Sequence, residues 1–357
     1  MKIVVFLAAM TRGGVDFFQS LLDEHPQISQ LPGSFYVDEF FEKIENQTNL
    51  ESIAKAFISS NESYFDSRHS ILERHNSLGS DKNEFYIINE DSFIKEFINL
   101  MKDKTINEKE ILIAIHLAYS KASGQNIEKK KLIFLQIHHI FRFNVLKDID
   151  FEILCIIRDP IASYSSYIKN LATFKNKNIN PWQFFFHLQR TFFHIKDLLN
   201  IKNKLSVIKL EDVHHNNLYV MKNFCNKFDL KYDSCMQKST FQGKLWWGDQ
   251  VGKRDINGIN KNFKNKIDFS VFFEKDIRLI EFYHNKFLQK YNYPSRSTKK
   301  VSFVDKFLPL KTELLIFKSH LLELNIKQIF FSIYYYIKRI NLMNKKKIES
   351  LEYPNTL

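Results

Sequence analysis

Directly after Lys2 the chain runs through an unbroken apolar stretch from Ile3 to Ala9, then through Met10, Thr11, Arg12, Gly13 and Gly14. Phe17, Phe18, Leu21 and Leu22 follow at helical spacing. A strand without a polar face must be covered on both sides, which predicts a parallel sheet with helices around it. A glycine pair between strand and helix lets the backbone turn tightly and approach an anion, and a helix start presents unpaired N–H groups. Arg12 adds a fixed cation. The segment therefore predicts a phosphate-gripping loop spanning Arg12, Gly13, Gly14, Val15, Asp16 and Phe17, with a ligand-free strand-turn-helix corner as the alternative.

The two commonest nucleotide loops are absent. An ATP-type loop, G-x-x-x-x-G-K-[ST], needs a hydroxyl after its lysine, whereas Gly243-Lys244 continues with Leu245 and Gly252-Lys253 with Arg254. A dinucleotide loop wants G-x-G-x-x-G, and only the adjacent pair is present here.

A second strand, Ile153 to Ile157, ends in Arg158, Asp159 and Pro160, and leads into a helix carrying Ser163, Ser165 and Ser166. Proline suits a first helical turn because its missing N–H would be unpaired anyway, and Asp159 is placed to cap that helix. A sharp turn at Asp159-Pro160 brings Arg158 and Ser166 toward one phosphate. A third apolar strand, "KLIFLQI", ends at His138-His139, so an imidazole emerges at the carboxyl edge of the sheet, where open α/β folds bind ligands and where histidine exchanges protons near neutrality.

With these segments in order, the sequence resembles the PAPS-dependent sulfotransferases of the bacterial, carbohydrate type (PAPS is 3′-phosphoadenosine 5′-phosphosulfate). "TRGGVDFFQSLLDEHPQI" is similar to their 5′-phosphosulfate loop and its downstream helix. "RDPIASYSS" is similar to their 3′-phosphate motif, with Arg158 and Ser166 in the key places, and "LSVIKLEDV" (205–213) to a later strand ending in an acidic pair. The resemblance covers roughly residues 1–290. It implies a P-loop-like three-layer α/β fold with a central parallel sheet flanked by helices, PAPS as donor with its desulfated form PAP as product, and no metal. It also implies catalytic roles for His138, Arg12 and His139, with Asp38 and Glu39 as the carboxylate alternative. The stretch 239–263 is similar to a basic loop closing over the nucleotide, with Lys244, Lys253 and Arg254 as cations and Trp246 to Asp249 as the lid. The implied acceptor is a glycan or glycolipid hydroxyl. Departures are specific: Thr11 replaces the motif's proline, Gly13 its serine, and Val15 and Asp16 its two threonines. Two lost hydroxyls remove contacts worth about 1.5–3 kcal/mol each. Two further readings stay open: a non-catalytic nucleotide-binding or membrane-docking protein on the same fold, and a kinase-like enzyme with another phosphorylated donor.

Fifty-two Lys and Arg against 40 Asp and Glu give a net charge of +12, which suits anionic partners. The lysines are dispersed without a compact aromatic-basic motif, which speaks against nucleic acid. Three cysteines are too few for a disulfide framework. With no signal-peptide pattern and no apolar run of about 18 residues, a cytoplasmic protein is expected, one that is peripheral at the inner membrane face if its tail binds lipid. The organisation expected is one α/β domain over 1–300 with a helical insertion at about 35–121, and an amphipathic helical tail over 301–357. Within the tail, aromatic and aliphatic residues recur with lysines between them over 301–347. That pattern fits a helix in an anionic membrane interface as well as one docked on protein.

Overall fold

The computed structural model describes residues 1–173, 180–201, 204–249, 258–345 and 352–357. Its centre is a wholly parallel sheet of β1 (Lys2–Ala8), β2 (Ile28–Gln30), β3 (Leu132–Gln136), β4 (Glu152–Ile157) and β5 (Leu205–Lys209), in the spatial order β2-β3-β1-β4-β5. Val4 to Leu7 and Ile153 to Ile157 are completely buried, as unbroken apolar strands require. This is an α/β fold of the P-loop-like kind, as the sequence predicts.

The longer helices lie where the apolar periodicity places them. α1 (Val15–Ser20) links β1 to β2, and α2 (Val37–Lys43), α3 (Leu50–Ser60), α4 (Glu62–Phe65), α5 (Glu90–Met101) and α6 (Glu108–Ala122) form the insertion before β3. α7 (Pro160–Thr173) and α8 (Pro181–Leu199) join β4 to β5, followed by α9 (Leu210–His215) and α10 (Asn217–Phe228). Asparagine starts several of them: Asn49, Asn89, Asn107 and Asn180 each accept a first-turn N–H on the side-chain oxygen. Beyond a hairpin of β6 (Thr240–Phe241) and β7 (Lys244–Leu245) come α11 (Glu274–Tyr283) and α12 (Asn285–Lys290). Periodicity predicts one helix across the last two. Buried His284 breaks it, its Nε2 lying 2.8 Å from the Thr191 carbonyl of α8. The short β2 and the β6–β7 hairpin carry too few residues for a period to show.

α13 (Lys311–Leu322) and α14 (Ile326–Lys345) form a helical hairpin. One face docks on the domain: Leu310, Ile316 and Met343 join a second apolar cluster with Ile161, Tyr164, Phe192 and Tyr283. Arg339, almost fully enclosed, binds both carboxylate oxygens of Glu313 (2.9 and 3.0 Å) and the carbonyls of Lys306 and Leu308. Among the described residues no helix is long and apolar enough to cross a membrane.

Candidate functional site: the cleft between the loops after β1 and β4

The chain leaves β1 toward β2 and leaves β4 toward β5, so the two connections diverge and open a crevice at the carboxyl ends of adjacent strands. Open α/β sheets take their ligands at such a switch point. The loop after β1 is built for close approach. Gly14 sits at φ 87° and Arg12 at φ 60°. A Cβ on Gly13 would lie 2.7 Å from Ala8 Cβ, and one on Gly14 2.6 Å from Leu210 Cδ1. The first N–H groups of α1 have no intrahelical acceptor.

Arg158 joins the two loops. Its Nη1 donates to the carbonyl of Arg12 at 3.1 Å and its Nε to Asn265 Oδ1 at 2.9 Å. Glu211 locks this arrangement from below, accepting from the Asp159 N–H, Asn265 Nδ2 and the Tyr293 hydroxyl. Asp159 caps α7 by accepting from the N–H groups of Ile161 and Ala162 (2.9 and 3.1 Å), and its other oxygen binds Arg296. The seam between α7 and the first loop is made by Ser163, whose hydroxyl donates to the Thr11 carbonyl. Ser166 lies one turn further along the same helix face, half-buried.

The other expected ligands are partly committed elsewhere. Arg12 pairs with Asp249 through two hydrogen bonds, 2.8 and 3.3 Å, so the segment after β7 already closes on the loop. Trp246 and Trp247 spend their indole N–H groups on the carbonyls of Glu73 and Gly79, and Lys244 spends its ammonium on Glu84. Lys253 and Arg254 lie outside the described residues. Val15 is buried. Phe17 is 4% exposed and packs at 4.4 Å against His214, which stacks on Phe263 from its other face. That ring is taken up in packing, and Phe263 in turn lies 6.0 Å from the Arg158 guanidinium.

Asp16 accepts from Gln136 Nε2 at 2.8 Å, tying the loop to the end of β3. Burial above all, then Asp249 and Glu73, pushes its carboxyl up to about 6. His138 and His139 follow β3 at the same edge, with Tyr36 stacked on His138 and Phe186 edge-on to His139. Burial, reinforced by Arg190 and Arg142, pushes His138 down to about 3; burial, then Arg190, His138, His194 and Arg142, pushes His139 down to about 2. Both rings are therefore neutral near pH 7. Asp38 and Glu39 both bind Arg142, which is sandwiched against Tyr36; they form an ion-pair cluster beside the histidines.

One charged group in this region escapes sequence reading. Arg190 of α8 is 8% exposed, and its field reaches His138, His139 and His187. The signal that points to it is a polar stripe, His187, Arg190, Thr191 and His194, at positions i, i+3, i+4 and i+7 of a helix otherwise dense in phenylalanine.

No family model matches the sequence, and no curated protein is similar to it. Solved structures similar to the chain include two sulfotransferase domains. The sulfotransferase domain from the curacin biosynthetic pathway has 12% identity and a TM-score of 0.41, covering 85% of this chain and 95% of its own. The sulfotransferase domain of the Synechococcus olefin synthase has 11% identity and a TM-score of 0.42, covering 82% and 95%. The fold assignment rests on strand order and register, not on these likenesses.

Proposed function

We propose that the protein is a sulfotransferase that moves the sulfuryl group of PAPS to a hydroxyl of a carbohydrate or glycolipid acceptor. The observation that carries this reading is the coupling of the two loops through the Arg158–Arg12 contact at the switch point, on motifs resembling those for the 5′-phosphosulfate and the 3′-phosphate. In the proposed reaction the acceptor oxygen attacks sulfur in line. The bond from sulfur to the 5′-phosphate oxygen breaks with its electron pair remaining on phosphate, and the hydroxyl proton passes to a base. The first-turn N–H groups stabilise the leaving phosphate, while Arg12, oriented by Asp249, adds positive charge. Arg158, with Ser166 along α7, holds the 3′-phosphate. His138 is the proposed base. Its depressed basicity reflects burial beside two arginines, and the anionic donor offsets that positive field, which raises the ring toward the range where it accepts a proton.

The test is nucleotide discrimination. Arg158→Ala should weaken PAP binding by about 10- to 100-fold, the scale of a lost charge-assisted contact, while 5′-AMP, without a 3′-phosphate, is hardly affected. Equal losses for both overturn the assignment, and Arg158→Lys separates lost charge from lost bracing of the loop. Asp16 favours one rival reading, since a carboxylate beside the 5′-phosphate opposes donor binding. PAP binding without turnover would identify a non-catalytic nucleotide-binding protein.

The localisation proposed is at an anionic membrane surface through the outward face of the C-terminal hairpin. Leu322, Ile326, Phe330 and Ile337 are 74, 68, 68 and 50% exposed. Over residues 311–345 Lys311, Lys318, Lys327, Lys338 and Lys345 stand against Glu323, the segment's other acidic residue, Glu313, being spent on buried Arg339. An apolar face with a cationic surround complements an anionic bilayer.

A further inference from the structure

Arg190 stands apart from the other arginines around the cleft. Arg12 pairs with Asp249, Arg142 with Asp38 and Glu39, and Arg158 with Asn265 and the Arg12 carbonyl. The Arg190 side chain is more than nine-tenths buried, its Nε is enclosed without a hydrogen-bond partner, and no carboxylate among the described residues forms an ion pair with it. Isolating a guanidinium from water without a counter-ion is costly. Burial lowers its pKa only to about 10, so it stays charged near neutrality.

Its neighbours on α8 fix where it sits. One turn before it, His187 Nδ1 lies 3.5 Å from Thr11 Oγ1 in the first loop; one turn after it, His194 Nδ1 lies 3.1 Å from the carbonyl of Ala8, the last residue of β1. Arg190 is thus held over the corner where β1 becomes the loop. His138, His139 and Asp16 are all within reach of its charge.

Resting on the donor reading above, we propose that Arg190 is a catalytic residue: its guanidinium binds the oxygens of the sulfuryl group between the first loop and His138. A planar fork of donors largely shielded from water matches a tetrahedral oxyanion and stabilises charge on the transferring group as the sulfur–phosphate-oxygen bond breaks. This accounts for an otherwise unfavourable buried charge: the site is complete only with an anion present.

The experiment compares PAPS with PAP, which differ by the sulfuryl group alone, by calorimetry without acceptor on the wild type, Arg190→Met and Arg190→Lys. Arg190→Met should weaken PAPS by about 10- to 100-fold and leave PAP within about twofold, with Arg190→Lys recovering part of the PAPS affinity. Removing an unpaired buried charge should also keep or raise the melting temperature. Equal weakening of both nucleotides, unchanged PAPS affinity, or a fall in melting temperature for Met that Lys repairs without any change in PAPS affinity would each overturn the proposal. If wild type binds neither nucleotide, the donor reading itself has failed, and inorganic sulfate at constant ionic strength then probes the arginine alone. Stabilisation of the wild type but not of Arg190→Met supports an oxyanion site, and equal stabilisation of both overturns it.

Discussion

Replacing Asp16 with Asn tests the electrostatics of the cleft without requiring any ligand. Asp16 sits in the first turn of α1, where the positive helix end would ordinarily favour a carboxylate. Burial wins: with Asp249 and Glu73 adding, it outweighs the Gln136 hydrogen bond and the charge of Arg12, and moves the carboxyl from 3.8 to about 6. The gap between those values corresponds to about 3 kcal/mol. Because the folded-state value is the higher one, the folded protein holds a proton that the unfolded chain has released between pH 3.8 and about 6. Stability from this residue is therefore fully present below pH 3.8, falls as pH rises through about 6, and stays at its minimum above that.

Asparagine keeps the shape and an oxygen for Gln136 but carries no charge. Asp16→Asn should accordingly match wild type near pH 4 and exceed it by up to about 3 kcal/mol at pH 8. Urea unfolding at half-unit steps from pH 4 to 8 measures the difference directly. Asp23, whose carboxyl burial also raises to about 6, is common to both proteins and drops out. A difference that does not vary with pH, or an asparagine variant less stable at pH 8, refutes the reasoning. The same variant should bind PAP more tightly at pH 8 than wild type, since it removes a like charge from the loop.

Three other outcomes are expected. Gly14→Ala should cost about 1–3 kcal/mol in urea unfolding, because φ 87° is strained for alanine and its Cβ would meet Leu210 at 2.6 Å; a neutral effect would contradict the loop geometry. Glu313→Ala should destabilise the protein by about 3–5 kcal/mol by leaving Arg339 buried and unpaired, and protease should then cut the 301–345 region first; resistance equal to wild type would show that the hairpin is held by other contacts. The double change Phe330→Asp and Ile337→Asp should release the protein from vesicles containing phosphatidylserine without moving the melting temperature, since both side chains point to solvent; unchanged vesicle binding would refute the membrane reading.

What the sequence made legible is what depends on neighbours along the chain. The strands after Lys2 and before Arg158 show as apolar runs, the Asp159-Pro160 corner as a cap, and Gly13-Gly14 as a turn, because strand burial, capping and left-handed backbone are decided within a few residues. Charge compensation is decided across the fold. Arg12 meets Asp249 at a separation of 237 positions, and Arg142 meets Asp38 at 104. No spacing rule therefore identifies which cations fold into internal pairs and which stay open for a ligand. Ser163 and Ser166 show the same limit at short range. A helix face selects both, and only tertiary packing assigns Ser163 to the Thr11 carbonyl. In the folded cleft the buried arginine that forms no ion pair among the described residues is the one read from sequence as one more polar position on an aromatic helix, because sequence shows a charge and its neighbours along the chain but not which carboxylates the fold brings to it.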